Sequence, residues 1–346
     1  MRAGSIRRSL AIALLAGVLL VALAASVIIG HVYEHDSEAA AAGSLRDAYT
    51  LFGALERRDV TTMDAALGAL QADGDLRRAF LARDRKALLE AALPRFQALK
   101  ERDAVTHMYF VDADRHVFLR VHQPDLFGDQ LKRTTLVKAD ESGGVGAGLE
   151  FGQTAFALRV VRPWVVDGRR IGFMELAEDV NHFLVRMKQE TGNDFGLLVK
   201  KEHVDRAAWR RVTGPARDTW DARGDVVVVD TTSFSDGLVD FQGDIGALPA
   251  EGILLEEELR GGRAFIRGAF PVTDAAGHTI GALTVQHDFT RMHQVLVAGR
   301  RRVLMVVMGM SLAACGVVWA ALEWFALRHL ARLLREAESR RDSGAP

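Results

Sequence analysis

Two uncharged apolar runs near the chain ends constrain everything between them. Leu10 to Gly30 reads LAIALLAGVLLVALAASVIIG, and Val303 to Leu322 reads VLMVVMGMSLAACGVVWAAL. At about 1.5 Å rise per residue, either run is long enough as a helix to cross a hydrocarbon core of about 30 Å. Two crossings place the intervening residues together on one side of a membrane. Flanking charge sets the direction. Arg2, Arg7 and Arg8 precede the first run, and Glu34, Asp36 and Glu38 follow it. Arg328, Arg332 and Arg335 follow the second run. Both chain ends are therefore expected in the cytoplasm, although Arg300, Arg301 and Arg302 on the outer side oppose this locally. A rival reading of the first run is a cleavable signal peptide with Ala22-Leu23-Ala24 at the cleavage site. Against it, the run continues through Val27, Ile28 and Ile29, beyond a typical signal core.

The formal net charge of −1 lacks the basic footprint of a nucleic-acid binder, so no nucleic-acid partner is expected. Cys315 is the single cysteine and sits inside the second apolar run, which excludes a disulfide framework. No His/Asp/Glu cluster has metal spacing, His182 and Glu178 forming at best a weak pair. There is no phosphate loop, dinucleotide fingerprint or nucleophile elbow; Gly143 to Gly148 lacks the lysine a phosphate loop needs. No cofactor and no catalytic residue is expected.

From Glu34 to Lys100 the pattern is helical. Leu45, Tyr49, Phe52 and Leu55 recur at helix spacing, as do Met63, Leu67 and Leu70. Breaks are expected at Asp59 and at Gly74, with Asp75 as N-cap and Pro94 interrupting a third piece. Strands follow at His107–Asp112 and Val117–His122. In the second, Val117, Leu119 and Val121 alternate with Phe118, Arg120 and His122. Gln123 to Gly148 reads as a loop with a short helix over Thr134–Ala139, placed to act as a lid. Further strands are predicted at Leu149–Phe151, Ala155–Val166 and Arg170–Ala177, the last two joined by an Asp167-Gly168 hairpin turn. A helix over Asn181–Gln189, a strand over Asn193–Lys200, a helix over Val204–Val212 and a strand over Asp225–Asp230 come next.

The second half repeats the first. Arg159–Asp179 reads RVVRPWVVDGRRIGFMELAED, and Arg267–Asp288 reads RGAFPVTDAAGHTIGALTVQHD. Arg159 aligns with Arg267, Pro163 with Pro271, Ile171-Gly172 with Ile280-Gly281, and Asp179 with Asp288. A repeat of this kind implies two similar α+β modules in tandem.

These residues resemble a known family. Phe118-Leu119-Arg120-Val121-His122, Pro124, Phe127-Gly128-Asp129, a basic patch, Gly148, Glu150, Gly152, Arg162-Pro163, Asp167-Gly168, Ile171-Gly172 and Glu175-Leu176 follow in order. Together they look like the extracytoplasmic double-Cache sensor region of bacterial two-component sensor kinases, chemoreceptors and diguanylate cyclases. The resemblance covers about Glu34 to Met292 as an arrangement and is sharp over Thr106–Asp179. It implies an α+β fold: two tandem PAS-like modules on a long N-terminal helix, flanked by two transmembrane helices. The expected division is a cytoplasmic N-terminus (1–9), a first span (10–30), a helical stalk (31–100), a membrane-distal module (101–190), a membrane-proximal module (191–299), a second span (303–322) and a short cytoplasmic tail (323–346). Family members normally continue into a kinase, methyl-accepting or cyclase domain, for which 323–346 is too short. A separate histidine kinase or diguanylate cyclase is therefore the expected output partner, a divided or degraded sensor being the other reading.

The family's ligand usually sits in the distal module, so the candidate ligand-binding residues are Arg120, His122, Phe118, Tyr109, Arg159 and Glu175. Arg120 lies among apolar neighbours and needs a partner. A bidentate clamp on a ligand carboxylate and an internal salt bridge to Glu150 or Glu175 account for it equally well. Arg159 and Arg162 lie on opposite faces of their strand, and the recurrence of Arg159 as Arg267 favours a structural role. His107 and His122 could titrate near neutral pH, though a strand histidine is more often merely hydrogen-bonded. Tyr109, Phe118 and Trp164 could wall a pocket, with core packing as their default. Glu175 could meet a ligand amine or neutralise Arg120. The expected function is a two-pass sensor in the bacterial inner membrane, homodimeric, binding a small molecule such as a carboxylate outside the cytoplasm. A structural or assembly factor that keeps the fold without a ligand is the alternative. An exported hydrolase lacks the activated nucleophile it would need.

Overall fold

The computed structural model describes residues 2–152, 155–214, 218–233 and 236–342. The side chains of Arg2, Arg7, Arg8 and Glu34, on which the orientation expectation rests, and residues 343–346 of the tail lie outside the described residues.

Two compact units divide the chain, one made of 1–40 with 289–346 and one of 41–288. The first pairs the start of α1 (Arg2–Gln71) with α7 (Thr290–Asp342). Arg300 donates to Ser26 Oγ at 2.8 Å, and the Tyr33 hydroxyl lies 2.5 Å from His293 Nδ1. Among the described residues these are the two helices long and apolar enough to cross a membrane. Mean hydropathy over their most apolar windows is 2.9 and 2.2.

The larger unit holds two five-stranded antiparallel sheets with one topology. In the first, β1 (His107–Asp112), β2 (Val117–Arg120), β3 (Gly146–Phe151), β4 (Phe156–Val166) and β5 (Arg169–Asp179) lie in the order β2-β1-β5-β4-β3. In the second, β6 (Asp194–Lys200), β7 (Val226–Thr231), β8 (Ile253–Arg260), β9 (Arg263–Thr273) and β10 (Thr279–Asp288) lie in the order β7-β6-β10-β9-β8. The sequence repeat thus falls on the β4–β5 and β9–β10 hairpins, at matching places. Asp167 and Gly168 have φ of +50° and +74°, the pair of positive values that a type I′ hairpin turn demands.

One helical layer serves both sheets. A stripe of α1 from Leu45 through Phe52 to Leu70 is buried in a single core. Phe110, Leu158, Val160 and Leu176 join that core from the first sheet, and Leu197, Phe270 and Leu283 from the second. Further helices, α2 (Gly74–Leu81) and α3 (Arg85–Asp103), add Phe80, Leu88 and Phe96. Trp164 is core, not pocket wall: it packs on Phe80 with ring centroids 5.0 Å apart and donates Nε1–H to Gln71 O at 3.2 Å.

Three helix expectations need correction. α1 runs through Asp59, whose carboxylate is taken by Arg58 and Arg186 and so does not compete for backbone amides. Thr61 and Thr62 donate back to Arg57 O and Arg58 O at 2.8 and 3.0 Å, which a helix accommodates. The cap of α2 is Asp73, not Asp75, and accepts from Asp75 N and Leu76 N at 2.9 and 3.2 Å. α3 continues through Pro94. The strand β8 carries no clean alternation and was not expected from the sequence.

Between α1 and β5, Glu178 is buried beside Asp59. Burial first, then the Asp59 charge and hydrogen bond, push the Glu178 carboxyl up to about 8; Arg58 opposes this. Between the ordinary carboxyl range and pH 8 the folded chain keeps a proton that the unfolded chain has lost. Stability from this site therefore falls as pH rises through that window. Glu178→Gln is expected to raise stability by about 1–3 kcal/mol at pH 8 and by little at pH 5. Thermal unfolding of the full chain at both pH values, followed by circular dichroism, checks this. An equal gain at both would remove the assigned cause.

Candidate functional site

The face of the first sheet turned away from the helical layer carries the charge. Tyr109 on β1 stands opposite Arg120 on β2 and opposite Glu175 on β5. Val161 on β4 also pairs with Glu175, and Arg159 pairs with Ala177. Since paired residues share a face, the ladder gathers Tyr109, Arg120, Arg159 and Glu175. Of the six candidates, these four come together.

Arg159 and Glu175 are fully buried, with Nη1 2.7 Å from Oε1. The other oxygen of Glu175 accepts from Arg133 Nη2 at 2.6 Å. One carboxylate thus lies between two guanidinium groups. The Arg159 guanidinium also donates to Ala155 O at 3.2 Å. Its charged form is favoured further: burial opposes, but the Glu175 charge wins and raises the pKa.

Arg120 meets neither Glu150 nor Glu175. It makes a two-bond fork to Asp129, at 2.8 Å for each oxygen, and donates to Leu126 O at 2.6 Å. The Arg120 hydrogen bond holds the Asp129 carboxyl below its ordinary range. Glu150 instead accepts from the first amides of α4 (Thr134–Ser142), including Thr135 N at 3.3 Å, and from the Thr135 hydroxyl at 2.8 Å. A carboxylate there suits the positive end of the helix. The helix lays Leu136 and Ala139 on Val111, Val161 and Phe173.

Two expected residues fall elsewhere. Phe118 is on the helical side, against Phe80 at 5.4 Å and under Arg83 at 4.4 Å. The register of β1 and β2 shifts between Phe110 and Val111, so Val117 and Arg120, three apart, share a face. That bulge breaks the alternation read from the sequence and turns Phe118 away from Arg120. His122 lies beneath the site, 5.0 Å from Tyr109 and 4.3 Å from His107 between ring centroids. Burial, with the neighbouring arginines adding to it, pushes His122 down to about 3 and His107 to about 2. Both are thereby favoured as neutral near pH 7, in line with the hydrogen-bonded reading rather than the titrating one.

Above this layer lies a cavity of about 460 Å³. Tyr109, Arg120, Lys132, Arg133 and Glu150 line it from the first module, and His203, Asp205, Ala208 and Arg211 from the second. Guanidinium carbons of Arg133 and Arg120 lie 4.9 and 5.3 Å from the Tyr109 ring centroid. Lys132, Arg133 and the second-module wall were not named from the sequence, and Asp129 entered only within the Phe127-Gly128-Asp129 motif, not as a candidate site residue. Their one signal was the basic patch between Asp129 and Gly148.

Two antiparallel modules thus stand in tandem on one long helix, with a charged cavity lined from both. Residues 39–217, just over half the chain, match the family described as the double sensory domain of two-component sensor kinases. The chain belongs to that double-Cache family, whose members bind small molecules for signal transduction and are not catalytic in these domains. Among solved structures, the ligand-binding domain of the Campylobacter jejuni chemoreceptor Tlp3 in complex with L-valine is similar. It is 8% identical, over 75% of this chain and 96% of that one, with a TM-score of 0.45. The sensor domain of the V. cholerae histidine kinase DctB is 12% identical over 70% and 96%, with a TM-score of 0.41. The E. coli DcuS sensor domain is 16% identical over 40% and 97%, with a TM-score of 0.33. No curated protein sequence matches the chain significantly.

Proposed function

We propose that the chain is a membrane-anchored sensor that takes a small carboxylate in the first-module cavity, outside the cytoplasm. One observation carries the ligand class: on the cavity wall supplied by the first module, the uncommitted charge is positive. Glu175 is held by two arginines, Asp129 by Arg120, and Glu150 by α4. Among the described residues, Lys132 is exposed without a protein partner and Arg133 Nη1 makes no protein hydrogen bond. Carboxylates meet guanidinium groups with short charge-assisted bonds.

The second module's sheet carries apolar packing on one face. Ile245, Leu198 and Ala282 form a cluster on its sheet with Val239, Phe241 and Leu248 packed around it. Arg267, the counterpart of Arg159, is spent on Gly237 O at 2.7 Å. Anchoring is supported by apolar side chains such as Leu19 and Val317, 69% and 71% exposed on α1 and α7, which need a hydrocarbon solvent. A two-pass inner-membrane topology, a homodimer, and a histidine kinase or diguanylate cyclase as separate output partner complete the proposal, with family membership as their support. The chain itself is proposed to be non-enzymatic.

Thermal unfolding of the full chain in nanodiscs, against a panel of small carboxylates, amines and sugars, tests the ligand class. A ligand at a hundred times its Kd stabilises by about 2.7 kcal/mol. Carboxylates alone are expected to raise the midpoint by several degrees. A panel without effect would favour the structural-factor reading, which the internal pairing of Arg120 and Arg159 supports.

A further inference from the structure

One wall of the cavity comes from the second module, through α6 (Arg206–Thr213). Asp205 caps this helix, accepting from Ala208 N at 2.7 Å. Asp205, Ala208 and Arg211 are three residues apart in turn and so lie along one helix stripe. All three line the cavity. The neighbouring position fixes the stripe there. Trp209 is buried, stacks on Phe151 at the end of β3 with centroids 6.4 Å apart, and donates Nε1–H to Asp218 at 3.0 Å.

The basic residues of α6 divide into two kinds. Arg206 and Arg210 both meet Asp218, at 3.2 and 3.6 Å. Arg211 has no ion pair or hydrogen bond among the described residues and lines the cavity. Across the same cavity, Arg133 presents its unused Nη1. Two cations from different modules therefore border one space, while of the cavity's carboxylates Glu150 is taken up by α4 and Asp205 by the cap of α6.

We propose that Arg211 is a ligand-binding residue supplied by the second module: a carboxylate seated on Arg133 engages it too, so that the ligand bridges the modules. This rests on the reading of the cavity as a carboxylate site. The bridge holds α6 against the first sheet. α6 leads into β7, and that sheet contains β10, which ends at Asp288 just before α7 begins at Thr290. Ligand occupancy thus acts on the module that runs directly into the second apolar helix.

The test uses the full chain in nanodiscs and the tightest-binding member of a series from acetate to glutarate, measured by isothermal titration calorimetry. Arg211→Gln is expected to weaken binding at least tenfold, and Arg210→Gln, one position away and committed to Asp218, to change it less than twofold. Amide hydrogen exchange over 206–213 is expected to slow on adding ligand to the wild type and to stay unchanged in Arg211→Gln. Equal affinity of wild type and Arg211→Gln, or protection confined to 107–179, overturns the bridge while leaving the carboxylate site standing. Absence of binding to the wild type by every member overturns the carboxylate site and the bridge together.

Discussion

Glu175→Ala is expected to destabilise the folded chain by about 3–5 kcal/mol, the usual cost of removing one partner from a buried ion pair. Its carboxylate is fully buried and lies 2.7 Å from Arg159 and 2.6 Å from Arg133. Without it, Arg159 keeps a charge at a wholly buried position with, among the described residues, only Ala155 O to accept from it. The guanidinium cannot escape by losing its proton, since its pKa is far above any working pH. The paired replacement Glu175→Leu with Arg159→Met removes both charges and is expected to recover most of the loss, because desolvation no longer opposes burial. Thermal unfolding of the three variants beside the wild type decides it. A loss below about 1 kcal/mol in Glu175→Ala would mean that the site is hydrated and the pair is not what holds β4 to β5.

Arg133→Ala separates binding from stability. Glu175 keeps Arg159 when Arg133 is removed, so the folding cost is expected to be that of one charged hydrogen bond, about 1.5–3 kcal/mol. Affinity for a carboxylate ligand is expected to fall much further in relative terms. Truncating one side of a desolvated charged contact costs about 2–5 kcal/mol of binding, which is roughly 30-fold or more at about 1.4 kcal/mol per decade. Arg120→Ala is expected to behave in the opposite proportion, because the Arg120 fork closes on Asp129 and Leu126 O within the chain. Calorimetric titration together with unfolding midpoints gives both quantities for each variant.

Much of the fold was legible because it rests on local rules. The Asp167-Gly168 turn, the alternating strands of the first module, and the paired hairpins at Arg159–Asp179 and Arg267–Asp288 follow from turn chemistry and periodicity. The site was less legible because its deciding features are not local. One extra residue in the β2 ladder turns Phe118 to the helices, and a bulge of this kind leaves no mark in the pattern Val-Phe-Leu-Arg. Arg120 finds its counter-charge nine residues on, at Asp129, after a loop that includes Gly128 with φ of +88°. Arg133 carries no strand or helix periodicity at all, standing just ahead of α4. Arg211 belongs to the other module, and only the packing of Trp209 on Phe151 brings it to the cavity. Pairings in sheets are set by registers, and lids and walls by tertiary packing, neither of which a residue's own neighbours report.

The claim that a ligand sits in the first-module cavity is met most directly by a crystal structure of the chain grown with the best-binding carboxylate. The account predicts ligand density above Tyr109, with its carboxylate within about 3 Å of Arg133 nitrogen atoms. Density for the ligand on the second sheet instead, or an empty first-module cavity at saturating ligand, would contradict it.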